Sequence, residues 1–267
     1  MKIRSEFSSR SETDSPAHAH LRLAGVTRLS VQGRSAMDVW VFDPHRLALP
    51  CWAMALAGKP PALLITLDRH FDLVAPTAEV PLASAGLHAL DDVARWNLDV
   101  RNVDHILAGM DAGLISDVLA VARATPRGAV TADAWVDRRG TSHAICRTPS
   151  WSRVADGFGM PQASPEARWL WTALERSSGV ILDLDLDCFT TPNDVDPTDL
   201  LCWPLEQIRA FLMPEDSEPL WEAVLSKTVA VTLAREPHHC GGLTASAKLF
   251  EDFAQAFFVQ LLRATPP

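Results

Sequence analysis

Apolar and polar residues follow one another along this chain in a pattern that predicts strands and helices in succession. Short continuous apolar runs, which are typical of strands buried on both faces, occupy residues 37–42, 62–67, 130–136, 179–186 and 228–234. A helical spacing of apolar positions predicts helices over residues 47–57, 84–95, 103–122 (interrupted near Gly113), 165–176, 205–212, 219–225 and 245–263. Loops are predicted at residues 76–81 and 138–160. Strands alternating with helices favour an α/β fold, a three-layer sandwich with a mostly parallel central sheet.

The N-terminal segment differs in composition from the rest of the chain. Residues 1–20 are polar, rich in Ser and mixed in charge, so we predict a disordered N-terminal leader there. No internal repeat or linker follows, and a chain of 267 residues suits one large α/β domain. Residues 21–267 are therefore predicted to form a single domain.

Composition narrows the class of protein. The net charge of -9 and the pI of about 5.4 argue against nucleic acid or an anionic membrane as the main partner. No apolar stretch reaches the roughly 20 residues needed to cross a membrane. The number of cysteines is five, an odd number without a Cys-x-x-Cys pair, which disfavours a disulfide framework and a structural zinc site. We expect reduced thiols in the cytoplasm; the oligomeric state stays open.

The first group of candidate site residues follows the apolar run 63–67 and reads Asp68-Arg69-His70-Phe71-Asp72. In an extended chain, residues two apart share a face, so Asp68, His70 and Asp72 are predicted to converge on one point. Oxygen ligands with one imidazole suit manganese, iron or zinc better than calcium. The alternative is a solvated junction between strand and loop.

The second group, Asp183-Leu184-Asp185-Leu186-Asp187, continues the apolar run 180–182. Aspartates on one face of a buried strand repel each other unless a cation lies between them. An EF-hand loop starting at Asp183 is excluded, because its sixth and twelfth positions hold Cys188 and Asp194. A haloacid-dehalogenase phosphatase is disfavoured by Phe189, which stands where that family has Thr. Carboxylates ending two such runs predict a dinuclear cation site at the carboxyl edge of the sheet.

A third group follows the strand predicted over residues 228–234. Glu236 would lie at the same edge but outside the metal cluster, where it could hold a cationic group of a substrate. Two other interpretations stay open: a zinc site formed by His238, His239 and Cys240, and a plain surface loop. Adjacent side chains rarely point the same way, which disfavours zinc.

Single histidines are weaker candidates. His45 follows the first strand and is predicted as a further metal ligand at the edge of the site. His88 and His105 could each carry a proton, because histidine titrates near neutral pH. A structural role for either is the alternative.

The order of these motifs resembles the arginase/ureohydrolase superfamily over roughly residues 37–240. Enzymes of that superfamily carry Asp-x-His-x-Asp, then Asp-x-Asp, each after a parallel strand, and a later Glu that binds the guanidinium group. The matching residues here are Asp68-Arg69-His70-Phe71-Asp72, Asp185-Leu186-Asp187 and Glu236. The resemblance implies an arginase/deacetylase-like fold and makes residues 21–267 an arginase-like catalytic domain.

Three phrases resemble more narrowly the branch with the peptide arginases (uncharacterised protein family 0489): Val-Trp-Val-Phe-Asp-Pro-His-Arg (39–46), Asn-Val-Asp-His-Ile (102–106) and Ile-Leu-Asp-Leu-Asp-Leu-Asp-Cys-Phe (181–189). That branch is thought to convert arginine side chains of a ribosomally made precursor peptide to ornithine and urea. The chain lacks the Gly-Gly-Asp-His segment of ordinary arginases, the Asp-Pro after the second motif and an Asn/Ser segment for free arginine. Arg69 stands where a small residue is usual.

The resemblance implies two Mn²⁺ ions and a set of roles for the candidate residues. Asp68 and Asp185 would bridge the ions, His45 and Asp72 would complete one, and His70 and Asp187 the other. Asp183 would either orient one of the metal ligands or be an additional metal ligand itself. Glu236 would hold the guanidinium, and His88 or His105 would protonate the leaving amine. His88 is preferred, because it lies a loop's length after the first motif, where arginases place the residue that carries the proton. These ten positions hold the predicted site: His45, Asp68, His70, Asp72, His88, His105, Asp183, Asp185, Asp187 and Glu236.

The expected function is therefore the manganese-dependent hydrolysis of arginine side chains in a precursor peptide. Two alternatives stay open beside the phosphatase. One is a metallohydrolase of the same fold that acts on a small guanidine or an acylated amine. The other is a metal-binding protein without catalytic activity.

Overall fold

The structure, a computed structural model, describes residues 23–32, 36–77, 86–196 and 199–262. The predicted leader, residues 1–20, lies outside the described residues. The strands are β1 Val26–Gln32, β2 Ala36–Phe42, β3 Ala62–Leu67, β4 Ile115–Val121, β5 Ala134–Val136, β6 Ser142–Thr148, β7 Val180–Asp185, β8 Thr190–Pro192, β9 Leu200–Cys202 and β10 Thr228–Ala234. The α-helices are α1 Ala48–Ala55, α2 Leu87–Trp96, α3 His105–Asp111, α4 Trp151–Ala155, α5 Pro165–Arg176, α6 Leu205–Leu212, α7 Glu218–Lys227 and α8 Leu243–Ala254.

Eight of these strands form one sheet in the order β1-β2-β10-β7-β3-β4-β6-β5. The six inner strands run parallel, and the edge strands β1 and β5 are antiparallel to their neighbours. The short strands β8 and β9 pair with each other. This architecture confirms the predicted α/β fold with a mostly parallel central sheet.

Helices cover both faces of the sheet. Alternate residues of β7 point to opposite faces, so Leu182 and Leu184 pack in one core with α4 to α8, while Ile181 packs in the other with α1 to α3. The sheet therefore forms the middle of three layers, as predicted. The same alternation places Asp183 and Asp185 on the face covered by α1 to α3.

Two secondary-structure predictions were wrong. The helix predicted over residues 103–122 ends at Asp111, and the chain continues as strand β4 after Gly113, whose φ of +74° ends the helix. β4 lies between β3 and β6, so its apolar residues are buried in a sheet rather than on a helix. Residues 138–160, predicted as loop, contain β6 and α4. The last predicted helix is confirmed: α8 extends to Ala254, and Gln255–Leu261 continue it as a π-helix.

Two further features concern the chemistry of the chain as a whole. All five cysteines carry free thiols. In the part of the chain that the structure describes, no helix has the length and apolar character needed to cross a membrane.

Candidate metal centre

Three neighbouring strands bring the acidic residues to one edge of the sheet. β3 and β10 both pair with β7 in parallel, so their carboxyl ends meet. Asp68 follows β3 directly, Asp185 is the last residue of β7, and Glu236 lies just beyond β10. His45 reaches this edge because the 3-10 turn His45–Leu47 follows β2, the other neighbour of β10.

These residues form a buried cluster of charged side chains, which we call the acidic cluster. The carboxylates are at most 6% exposed, His45 is fully buried, and the His70 side chain is 33% exposed. His70 therefore lies on the open side of the cluster. Its members are His45, Asp68, His70, Asp72, Asp183, Asp185, Asp187 and Glu236.

One set of possible ligand atoms surrounds the His45 ring, and we call it the His45 group (His45, Asp68 and Asp185). His45 Nδ1 lies 3.0 Å from Asp185 Oδ2 and 3.3 Å from Asp68 Oδ2. Asp72 Oδ2 lies 3.5 Å from the same nitrogen. The ligand atoms of the group lie within 4.8 Å of one another. This spacing would let all of them contact a single cation.

A second set, the His70 group, consists of Asp68, His70 and Asp187. His70 Nδ1 lies 3.2 Å from Asp187 Oδ2 and 3.9 Å from Asp68 Oδ1. Asp68 therefore contributes one oxygen to each group. Asp185 belongs only to the His45 group. Its Oδ1 accepts the N–H of Asp187 at 2.8 Å, just as Asp68 Oδ1 accepts the N–H of His70 at 2.8 Å.

Asp183 lies behind His45, away from both groups. The strand register places Thr66 and Thr232 on either side of it, and their hydroxyls donate to Asp183 Oδ2 at 3.2 Å and Oδ1 at 2.5 Å. Its Oδ2 also lies 2.8 Å from His45 Nε2. With both oxygens engaged, Asp183 is placed to hold the His45 ring and to fix the proton on Nε2, which frees Nδ1 to act as a ligand.

The charges of the acidic cluster are not balanced by basic side chains. Among the described residues, no Lys or Arg side chain forms an ion pair with its carboxylates. Burial, and then neighbouring carboxylates, hold the pKa values of Asp185 and Asp72 well above their usual range. Burial also opposes ionisation of Asp68, but the neighbouring imidazoles of His45 and His70 lower its pKa below the usual range.

Two buried polar atoms show that the cluster fits a cation. Asp68 Oδ2 and His45 Nδ1 face each other, yet neither has a hydrogen-bond partner. Buried polar groups without partners are rare, because each costs about 1–3 kcal/mol. A cation between these atoms would satisfy both, so the residues present fit a metal site.

Glu236 lies beside the His45 group and is held from one side. Its Oε1 accepts hydrogen bonds from the His45 N–H at 2.9 Å and from the side-chain amide of Asn102. Its Oε2 lies 3.6 Å from Nε2 of His239, whose side chain is 47% exposed. Burial raises the pKa of Glu236 to about 7. Glu236 thus offers one oxygen, Oε2, toward the exposed side.

The two histidines predicted as proton carriers differ in their surroundings. His105 is fully buried, with its ring 4.2 Å from the His45 ring and its Nδ1 2.9 Å from the Asn102 carbonyl oxygen. Burial lowers the pKa of His105 to about 3. His105, His45 and Asp183 form a third set of residues with closely spaced ligand atoms, but Asp183 already binds His45 Nε2. His88 is exposed on α2.

The alternative zinc site is not formed among the described residues. Cys240 is buried, His238 is exposed, and His239 faces Glu236. These three side chains do not converge.

Two kinds of site residue were missed from the sequence. Thr66 and Thr232 bind Asp183 from the neighbouring strands, and only the strand register reveals this. Asn102 binds Glu236 across a sequence separation of 134 residues. It stands in the phrase 102–106 that resembles the peptide arginases, but nothing in the phrase indicates the contact.

Comparisons with known proteins give structural matches alone. No family model matches the sequence, and no curated protein matches it. Arginase from Bacillus cereus is similar, with 16% identity and a TM-score of 0.44 over 82% of this chain and 70% of that chain. Arginase from Bacillus subtilis matches with 14% identity and a TM-score of 0.45, over 85% and 69%. Agmatine ureohydrolase of Thermoplasma volcanium matches with 13% identity and a TM-score of 0.38, over 84% and 63%. Sequence identities and TM-scores this low do not establish a shared function.

Proposed function

We propose that this protein is a metal-dependent hydrolase that converts arginine side chains of a peptide to ornithine and urea. The observation that carries the proposal is the pair of ligand groups that share Asp68, with the buried carboxylate of Glu236 beside them. The two ligand groups would form the hydrolytic metal centre. Glu236 would bind the positively charged group of the substrate.

The chain's residues would hold two manganese ions. His45, Asp68, Asp72 and Asp185 would hold one ion, and Asp68, His70 and Asp187 the other. Carboxylate oxygens with a single imidazole in each group favour manganese over calcium, which takes oxygen ligands, and over structural zinc, which takes thiolates. When bound, such a pair supplies Lewis-acid chemistry and lowers the pKa of a bound water.

Glu236 is placed to bind and orient the guanidinium group. Since its Oε1 is engaged by His45 and Asn102, Oε2 is the oxygen that would accept a charge-assisted hydrogen bond from the substrate. That bond would fix the guanidinium carbon over the edge of the sheet, where Asp68 lies between the two ligand groups.

His239 is the histidine that we assign to protonate the leaving amine, in place of the buried His105. Its ring combines exposure with a position 3.6 Å from the free oxygen of Glu236. A proton held at His239 Nε2 would therefore lie beside a guanidinium bound to Glu236. His88 remains the alternative, because it follows the first motif at the distance that the resemblance to arginases implies.

A peptide substrate is favoured over free arginine by what the sequence lacks. Arginases that act on free arginine carry an Asn/Ser segment that binds the α-carboxylate and α-amine of the substrate. This chain has no such segment. An arginine within a peptide has neither charged group. We therefore propose an arginine-containing precursor peptide as the partner.

Replacement of Glu236 by Gln tests the proposal. Losing a hydrogen bond to a charged group costs about 1.5–3 kcal/mol, so we expect kcat/KM for urea release from arginine peptides to fall about 10- to 150-fold, with bound manganese unchanged. Glu166→Gln is the matched control, because Glu166 is partly buried and pairs with Arg153 outside the cluster. Full urea release by Glu236→Gln would reject a guanidine substrate and leave another bond, such as an acylated amine, to be sought.

A further inference from the structure

Asn102 is the residue that links Glu236 to the rest of the site. It is 6% exposed and lies between α2 and α3, with a φ of +60°. Its side-chain amide nitrogen donates to Glu236 Oε1, and its amide oxygen accepts from Arg46 Nη1 at 2.8 Å. Its carbonyl oxygen accepts from His105. Both polar atoms of the Asn102 side chain are thus engaged, the nitrogen by Glu236 and the oxygen by Arg46.

Glu236 itself needs an external support. Its φ of +38° is uncommon for a residue with a side chain, and its backbone N–H donates to the Asp43 carbonyl oxygen at 3.1 Å. The backbone is thereby fixed, but the carboxylate can still rotate about its last side-chain bond. The donors at Oε1, the His45 N–H and the Asn102 amide, hold the carboxylate in one orientation, with Oε2 toward the exposed His239.

On the basis of the proposed function, we infer that Asn102 is a positioning residue for guanidinium binding. It holds Oε1 of Glu236 so that Oε2 is presented to the substrate. An amide is suited to this place because it donates to Glu236 and accepts from Arg46 at the same time. An Asp in its place would set two carboxylates against each other, and a Gly would leave Oε1 with the His45 N–H alone.

The test is a double-mutant cycle between Asn102 and Glu236, with manganese-loaded full-length protein and an arginine peptide. Asn102→Gly removes the side chain without strain at positive φ. We expect it to lower kcat/KM about tenfold or more, mainly through a higher KM, with manganese content unchanged. In the Glu236→Gln background, the same change should cost less than about threefold. Asn97→Ala, an exposed asparagine at the end of α2, is the control that should keep wild-type activity.

Each other outcome separates this inference from the proposed function. Equal losses from Asn102→Gly in both backgrounds, or no loss at all, would show that Asn102 does not act through Glu236. Loss of manganese would assign it to the metal site instead and overturn the inference. If Asn102→Gly does not fold, the isosteric Asn102→Asp answers the same question, with a larger expected loss of kcat/KM. Full activity of Glu236→Gln alone would reject the proposed function, and the inference with it.

Discussion

Replacement of Asp183 by Asn tests how the chain prepares His45 to bind a metal. Asp183 is fully buried and its Oδ2 lies 2.8 Å from His45 Nε2. In the variant, we expect the amide oxygen to take the place of Oδ2, because both His45 and Thr66 donate there. The amide nitrogen would then face Thr232, which already accepts a hydrogen bond from Trp52 Nε1 at 3.1 Å.

Two losses follow from this geometry. The proton stays on His45 Nε2, but the negative charge that strengthens the Nδ1 ligand is gone. Replacement of such a partner of a metal-binding His typically lowers metal affinity 10- to 100-fold, or about 1.4–2.8 kcal/mol. The Thr232 hydroxyl also loses its acceptor, which costs about 1–3 kcal/mol of stability. The Tm should fall by roughly 2–4 °C for each kcal/mol.

Calorimetric titration of chelator-treated protein with manganese measures the first loss. In Asp183→Asn, we expect manganese to bind the His45 group more weakly than in the wild type. The affinity of the His70 group should stay near its wild-type value. Asp111→Asn is the matched control, because Asp111, the last residue of α3, is also buried but pairs with Arg138. Wild-type affinity at both sites in Asp183→Asn would refute the orienting role of Asp183.

Two further predictions concern the shared ligand and the proton donor. Asp68→Ala should abolish binding of both ions, as measured by metal analysis, because Asp68 directs one oxygen to each group. Asp72→Ala should retain the ion of the His70 group. Retention of both ions in Asp68→Ala would contradict the shared site. His239→Ala should lower kcat for urea release about 100-fold or more while His88→Ala keeps it, and the reverse result would move the proton donor to α2.

Much of the candidate metal centre could be predicted, because the local sequence around its aspartates is distinctive. Asp68 and Asp185 stand at the ends of continuous apolar runs, and parallel strands bring such ends together. The structure places them at neighbouring strand ends, with His45 between their oxygens. Asp68 contributes to both ligand groups, whereas Asp185 contributes only to the His45 group.

The remaining features depend on contacts that no local pattern records. The segment after Gly113 has a spacing that suits a helix, and its burial between β3 and β6 makes it a strand. Asn102 meets Glu236 only because two loops from opposite halves of the chain converge. His105 looked like a possible proton carrier because of its residue type, and burial behind His45 removes it from the open side.

The central claim is that this site hydrolyses the guanidinium group of arginine in a peptide. Mass spectrometry of arginine-containing peptides, incubated with the manganese-loaded protein, tests it most directly. We predict the mass decrease that converts arginine to ornithine, with release of an equal amount of urea, and neither after treatment with a chelator. Unchanged masses of all arginine peptides, from protein shown to hold manganese in both ligand groups, would contradict the claim.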